Sequence, residues 1–454
     1  METEAIYNRN ADTASPISTA DVVVIGGGPA GTTLGSLLVE KGWRVVLLEQ
    51  DYHPRFHIGE SLLPMNLPLF ERLGVLEQVR QIGVVKNGAE FCPAGSGDRM
   101  ETIYFKDALK FSPRYAFQVR RSEFDELLFR HCSARGVSAF EGVKVREVTF
   151  GGDGRHLVEA RNGAGYRLFW HTRFVVDASG RDTFLSRKLG LKKKNPKHHS
   201  AALFAHYRSV VRRTGDDEGN ISIYWFEHGW FWIIPLRDGL TSVGAVCSPT
   251  YLKTRKVEAT EFLWQTIQLC PEVRKRLRNA EIVGAAQATG NFSYYSSRIR
   301  GNGFLLVGDA FAFVDPVFST GVFFAMNGAS YAADAVDAYL RDPETSEPEF
   351  RRFEETVRGG IRTVSWFIYR FTSPPMQKLF MMPRDTFRVK RAIISMLSGD
   401  IFGSTPIFWP LALFKLIYFG AWLIEFPRAY AARKVRQRSI RERYADGTLP
   451  VDHL

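Results

Sequence analysis

A chain of 454 residues, 45% hydrophobic and 24% charged, carries enough apolar content to bury a core across two or three domains, which excludes a disordered or fibrous class. Its four cysteines, Cys92, Cys132, Cys247 and Cys270, stand far apart with no CxxC pair. That spacing argues against a zinc site or a disulfide scaffold, suits a reducing cytoplasm and leaves no metal to expect. A formal charge of +12 would draw anionic partners, yet no nucleic-acid motif accompanies it, and 427–444 alone sets seven Arg/Lys against one acid, Glu442.

In chain order, 1–20 is polar, lacks the apolar centre of a signal peptide and reads as a loose tail. The stretch from Asp21 to Glu49 is the organising one: an apolar strand, then Gly26-Gly27-Gly28-Pro29-Ala30-Gly31, a helical pattern to Lys41, a second apolar run Val45 to Leu48, and an acid, Glu49. Each part has a role in a dinucleotide site. Gly26 permits the tight turn, Gly28 lets a pyrophosphate approach the backbone, Gly31 lets helix and strand pack closely, and Glu49 accepts from a ribose. Pro29 and Ala30 open the helix whose free N–H groups face phosphate.

Leu69 to Val79 reads as one helix, Val84 to Phe91 and Met100 to Phe105 as strands, and Val119 to Arg135 as a helix with acids early and Arg135 last. Val143 to Val148, Leu157 to Ala160 and Tyr166 to Trp170 read as a meander feeding Arg173 to Gly180. Strands Asn220 to Phe226 and Thr241 to Cys247, a helical section 257–278, a buried strand Gly303 to Val307 and a long helix within 318–340 follow. Segments 21–49, 173–180 and 303–321 share a strand-to-glycine signature, so one nucleotide domain is expected to be discontinuous. Its pieces are 21–85, 116–190 and 290–345, with a largely antiparallel substrate domain from 86–115 and 191–289 and a helical region at 346–454. Within that region 407–426 is apolar and then turns basic. Pro410 and Lys415 argue against a membrane span. A helix capping the core, with a solvated basic end, is favoured over peripheral membrane contact.

Three further motifs carry chemistry. The run Gly303 to Gly321 (GFLLVGDAFAFVDPVFSTG) places Asp309 after a strand, and Arg121 in VRRSEFD and Asp177 in DASG stand in similar contexts. These resemble the FAD-dependent aromatic monooxygenase superfamily, in which the Asp of a Gly-Asp pair holds the ribityl chain. The run Trp230-Phe231-Trp232-Ile233-Ile234-Pro235 resembles the WxWxIP signature of flavin-dependent halogenases, and Lys86 in Lys86-Asn87-Gly88-Ala89-Glu90-Phe91 resembles their catalytic-lysine segment.

The resemblance implies an α/β fold like that of p-hydroxybenzoate hydroxylase, with an FAD-binding Rossmann-type domain, an antiparallel β substrate domain and a helical C-terminal region. It assigns FAD to Gly26, Gly28, Pro29, Ala30, Gly31, Glu49, Arg121, Asp177 and Asp309. Trp230, Trp232, Ile234 and Pro235 form a wall between flavin and substrate; Ser319, Thr320 and Gly321 hold halide; Lys86 directs the oxidant. Val322-Phe323 departs from the Val-His often found after that glycine.

The implied activity is that of a cytoplasmic enzyme of natural-product biosynthesis, using reduced FAD, O2 and chloride or bromide to make hypohalous acid. The acid would halogenate an electron-rich aromatic, phenol- or pyrrole-like, free or on an acyl or peptidyl carrier protein. With no second GxGxxG for a nicotinamide, reduced FAD is expected from a separate flavin reductase, and the enzyme as a monomer or dimer. Phe371 to Met376 (FTSPPM) and Ser398-Gly399-Asp400 are similar to halogenases of phenols and carrier-tethered aromatics, and no glutamate is assigned as a substrate base. Competing readings are a flavin-dependent aromatic monooxygenase, a geranylgeranyl-reductase-like oxidoreductase and a non-catalytic flavoprotein partner of a biosynthetic complex.

Overall fold

The computed structural model describes residues 17–445 except 94, 96, 98, 110, 111, 291, 292, 382–384 and 404. Val22, Val23 and Val24 are fully buried in the strand Ser18–Ile25, which lies between Val45–Leu48 and Arg167–Asp177, all parallel. Such unbroken apolar runs suit a strand covered on both faces. Phe304–Leu306 and Ser138–Phe140 extend the sheet in parallel, giving the order Phe304–Leu306, Arg167–Asp177, Ser18–Ile25, Val45–Leu48, Ser138–Phe140. The expected tail therefore ends sooner than residue 20, because Ser18 to Ala20 pair with Trp170 to Thr172.

Register decides where a ligand can sit. Ile25 lies level with both Leu48 and Asp177, and Asp177 with Leu306, so four strands end together. Ligands of open α/β sheets bind beyond such carboxyl ends. The helix Pro29–Glu40 packs back on the strands because its glycine permits it: a Cβ on Gly31 would stand 2.0 Å from the Gly26 carbonyl oxygen. Gly26 itself sits at φ +106°, and a Cβ there would meet Ala178 O at 2.5 Å.

The second sheet has seven strands in the order Glu281–Thr289, Ala201–Arg208, Thr241–Cys247, Gly229–Pro235, Ile221–Phe226, Gly88–Cys92, Glu101–Tyr104. It is antiparallel except where Ile221–Phe226 runs parallel to Gly88–Cys92. Alternation along Gly229–Pro235 sends Phe231 and Ile233 into one apolar cluster, under the helix Ala259–Gln268, and Trp230, Trp232 and Ile234 into another. That second cluster is completed by the helices Glu347–Ile368, Pro374–Met381, Val389–Leu397 and Phe408–Ile424.

Two expected elements are split. Val84 to Phe91 becomes Gly83–Lys86, paired with Ala116–Val119, and Gly88–Cys92, in the seven-stranded sheet. Leu69 to Val79 is interrupted by Gly74 at φ +76° between Leu67–Leu73 and Leu76–Ile82. All four cysteines are buried, and none forms a disulfide.

Replacing Gly31 with alanine drives a methyl group into a backbone carbonyl rather than into a flexible side chain. Loss of at least about 1–3 kcal/mol of stability is expected, as for overpacking in a core. Urea denaturation of the Gly31→Ala variant measures it, and an unchanged midpoint would refute the close-approach role.

Candidate active site

A cavity of about 750 Å³ opens at the level ends of the parallel strands and runs to the second sheet. Gly26, Gly28, Pro29 and Ala30 line its first end, and nothing crowds Gly28 closer than an Arg55 nitrogen at 3.7 Å from a hypothetical Cβ. Glu49 lies in the wall: one carboxylate oxygen accepts from Gly27 N (2.8 Å) and Arg55 Nη2 (3.1 Å), the other from Asp51 N (3.0 Å). Of about four lone-pair sites on that carboxylate, one remains for a hydroxyl.

Arg55, and Asp125 at the end of the VRRSEFD run, carry no assigned role in the sequence motifs, yet they organise this end. Arg55 Nη1 reaches Asp125 Oδ2 at 3.2 Å, and Arg121 grips both Asp125 oxygens from Nε (2.7 Å) and Nη2 (3.0 Å) while Nη1 donates to Ile58 O (2.8 Å). Burial alone would raise the Asp125 carboxyl; Arg121, with His57 and Arg55, holds it below the usual range. Burial and Arg121 push His57, another cavity residue, down to about 4, so its ring is neutral at pH 7.

Asp309 lines the cavity, and its carboxylate has no hydrogen-bond partner among the described residues, while its carbonyl accepts from Tyr294 OH at 2.8 Å. Burial pushes this carboxyl up to about 6, against the pull of Arg181 and Arg121. Asp177 is placed differently. Its oxygens are taken by Ser179 N (3.0 Å) and Leu185 N (2.7 Å), so it braces the turn and stays out of the cavity lining.

At the far end stands the turn Pro316–Phe318, followed by Ser319 at φ 56° and the 22-residue helix Thr320–Arg341. Ser319, Gly321 and Val322 line the cavity, whereas Thr320 is buried beside them; no side chain caps this helix start. Free N–H groups and the helix dipole make such an end favourable to an anion. A second feature that the sequence did not disclose fixes the turn. Asp315 caps Val317 N at 3.1 Å with one oxygen, and with the other accepts from Ser200 Oγ (2.8 Å) and faces His198 Nε2 (2.7 Å).

Trp230, Trp232 and Ile234 line the cavity from the second sheet, and Pro235 ends the strand outside the lining. The Trp232 ring lies against Gly244 of the neighbouring strand, where a Cβ would come within 2.2 Å, and its Nε1 donates to Ser242 Oγ at 3.1 Å. Lys86 is 1% exposed and sits just behind the lining. Its Nζ donates to Ser61 Oγ (2.9 Å) and Leu62 O (3.0 Å); Ser61 belongs to the cavity wall. Burial lowers the lysine pKa to about 7.

The model for the FAD binding domain matches residues 19–347. The chain is 30% identical over 404 residues, 84% of this chain and 89% of the other, to a 1H-pyrrole-2-carbonyl-[peptidyl-carrier protein] chlorinase of Pseudomonas fluorescens. The chain belongs to the flavin-dependent halogenases. It is also 33% identical over 393 residues (86% of this chain, 94% of the other) to the corresponding brominase of Pseudoalteromonas luteoviolacea. The solved flavin-dependent brominase Bmp2 superposes with a TM-score of 0.78 at 29% identity, covering 90% of this chain and all of that one. The fold is thus the p-hydroxybenzoate-hydroxylase-like one, and the enzyme is an FAD-dependent oxidoreductase that halogenates with O2 and halide.

The residues present fit FAD. The glycine edge is open at Gly28, the cavity has room for a dinucleotide, and the uncommitted Asp309 carboxylate faces into it. In the halogenase, removing Asp125 would take from the buried Arg121 guanidinium its bidentate carboxylate and from Arg55 one of its two carboxylate partners. Asp125→Ala is expected to cost about 3–5 kcal/mol and to release flavin. Chemical denaturation, together with the flavin content of the purified protein, measures both. Wild-type values would dismiss the network.

Proposed function

We propose that this halogenase acts on an electron-rich aromatic, phenol- or pyrrole-like, carried on an acyl or peptidyl carrier protein, with Lys86 directing hypohalous acid onto it. The observation that carries the reading is a buried lysine of lowered pKa, one hydrogen bond behind the cavity wall at Ser61. The activities of the two pyrrolyl-carrier relatives favour the tethered acceptor. Bound reduced FAD, delivered by a separate reductase, supplies the electrons with which O2 oxidises halide to hypohalous acid.

The remaining work falls to the chain. Glu49 and Asp309 hold FAD hydroxyls, and Arg55 faces the phosphates beside Gly28. The N–H groups at Ser319 to Gly321 hold halide, under a turn fixed by Asp315. Trp230, Trp232 and Ile234 keep the aromatic acceptor away from FAD. Asp177 acts on the site through the turn that it braces. Because Lys86 donates to Ser61 Oγ, the Ser61 hydroxyl proton is free to point into the cavity and meet the oxygen of hypohalous acid. Lysine and serine together polarise that acid and retain it until the acceptor takes the halogen.

The decisive experiment supplies FAD, a flavin reductase, NADH, O2 and bromide or chloride, with a pyrrolyl- or phenol-loaded carrier protein against the free acids. Halogenated carrier-bound product is expected. Hydroxylation without halogenation would overturn the reading. Lys86→Ala should retain FAD and release hypohalous acid, detected by a trapping dye, while substrate halogenation collapses. Undiminished halogenation would refute the role of the lysine.

Stability gives a second check. The native lysine titrates near 7 and the unfolded one near 10.5. Between those values the unfolded chain binds the proton and the native one does not, so this group's cost is greatest below about pH 7 and is relieved as pH rises. A Lys86→Met variant should therefore gain most, relative to wild type, in acid. The gain should shrink toward alkaline pH in denaturation curves taken across that window.

A further inference from the structure

The helix Phe408–Ile424 contains a single charge, Lys415. At about 100° per residue, Leu411, Phe414 and Tyr418 fall on one face and are buried, packed with Trp366 and Phe367. The opposite face carries Trp409 (87% exposed), Leu416 (69%), Leu423 (68%) and Ile424 (81%) and not one polar side chain. Lys415 lies to the side, its Nζ 5.4 Å from the Trp366 ring. A helix apolar all round is one that something covers on both sides, and an outward apolar face of this extent marks an interaction site.

What covers it is indicated by the next helix. Phe426–Ala445 follows, its first part to Lys434 bent by 98° from the preceding helix, with Arg428, Arg433 and Lys434 exposed and seven Arg/Lys against Glu442 in its sequence. Glu425 is the one acid between 408 and 434, and Lys378 holds it at 2.9 Å. Exposed aromatics mark both ends, Trp409 at one and Phe426 and Tyr430 at the other. Among the described residues no single helix is long and apolar enough to cross a membrane. An apolar face, aromatic ends and an adjoining cationic helix are together the composition of an element that lies in a membrane interface.

We propose that the outward face of Phe408–Ile424, with the exposed basic side chains of the helix that follows, docks the halogenase on an anionic lipid bilayer. Trp409, Leu416, Leu423 and Ile424 enter the headgroup–acyl boundary, and Arg428, Arg433 and Lys434 meet lipid phosphates. The face that enters the lipid is the reverse of the one packed on Trp366 and Phe367, so docking leaves the core contacts in place. The proposal is independent of which aromatic the enzyme halogenates.

The test is flotation of the full chain, loaded with FAD, on phosphatidylcholine vesicles with and without phosphatidylglycerol. Association with the anionic vesicles, weakened by salt, is expected. A Leu416→Glu, Leu423→Glu double variant should stay unbound while keeping its FAD and its halogenation of a soluble acceptor, which shows that it is folded. Replacing Arg428 and Lys434 with alanine should lower partitioning roughly fivefold per side chain. Wild-type protein that ignores anionic vesicles overturns the proposal. So does a dimer that the Leu416→Glu, Leu423→Glu change converts to monomer with no vesicle binding, which makes the face a self-interface. Loss of carrier-protein affinity in that variant, with vesicle binding untouched, overturns it in favour of a protein partner.

Discussion

The nucleotide end of this halogenase depends on one buried carboxylate. Asp125 is gripped by Arg121 and touched by Arg55, and Arg55 in turn reaches Glu49, which holds Gly27 N. Two acids and two guanidiniums balance, so the network has no net charge in a place where an unpaired ion would cost several kcal/mol. It also ties the helix that begins at Arg121 to the acid at the end of the second strand. The N-terminus of Pro29–Glu40 and Arg181, both at the cavity, add positive potential beside that neutral set.

Legibility in the sequence follows the distance over which each interaction acts. Gly26, Gly28, Gly31 and Glu49 could be read because strand, turn, helix and acid lie within thirty residues and each has one local task. Asp309 and the tryptophan strand could be read because an apolar run or a strict alternation announces them. The Arg55–Asp125 contact and the Asp315–Ser200–His198 anchor could not, since those partners lie 70 to 117 residues apart and no local pattern marks a charge that pairs at long range, whereas the Arg121–Asp125 pair is four residues apart on one helix. Asp177, a motif acid at a strand end, serves the backbone of its own turn, which a local pattern does not tell apart from a ligand contact. The single strand expected over Val84 to Phe91 fails at Asn87 because the chain changes sheets there, which an alternating pattern does not record.

The C-terminal region shows the limit of composition from the other side. A twenty-residue apolar stretch states that the segment is covered and not by what. The expectation of a core-capping helix describes Leu411, Phe414 and Tyr418, and leaves Trp409, Leu416 and Leu423 without an account. Only the register of the helix against Trp366 and Phe367 separates the face that the protein covers from the one that it does not.

Lys86 sits where stability alone would not place a lysine. Among the described residues its Nζ has Ser61 Oγ and Leu62 O as its only hydrogen-bond partners and no paired carboxylate, and the Phe105 ring lies 5.2 Å from it. An apolar side chain of similar length would avoid the desolvation that drives the pKa to about 7. A buried charge without a counter-ion persists when the surrounding fold pays for it, and chemistry is the usual reason. Placing the group one hydroxyl behind the wall, instead of in it, also shields it, since Ser61 lines the cavity and Lys86 does not. A lysine left open to the cavity would be wet, fully protonated at neutral pH and exposed to any oxidant formed there. The same burial that destabilises Lys86 therefore sets its protonation near neutrality and restricts what can reach it.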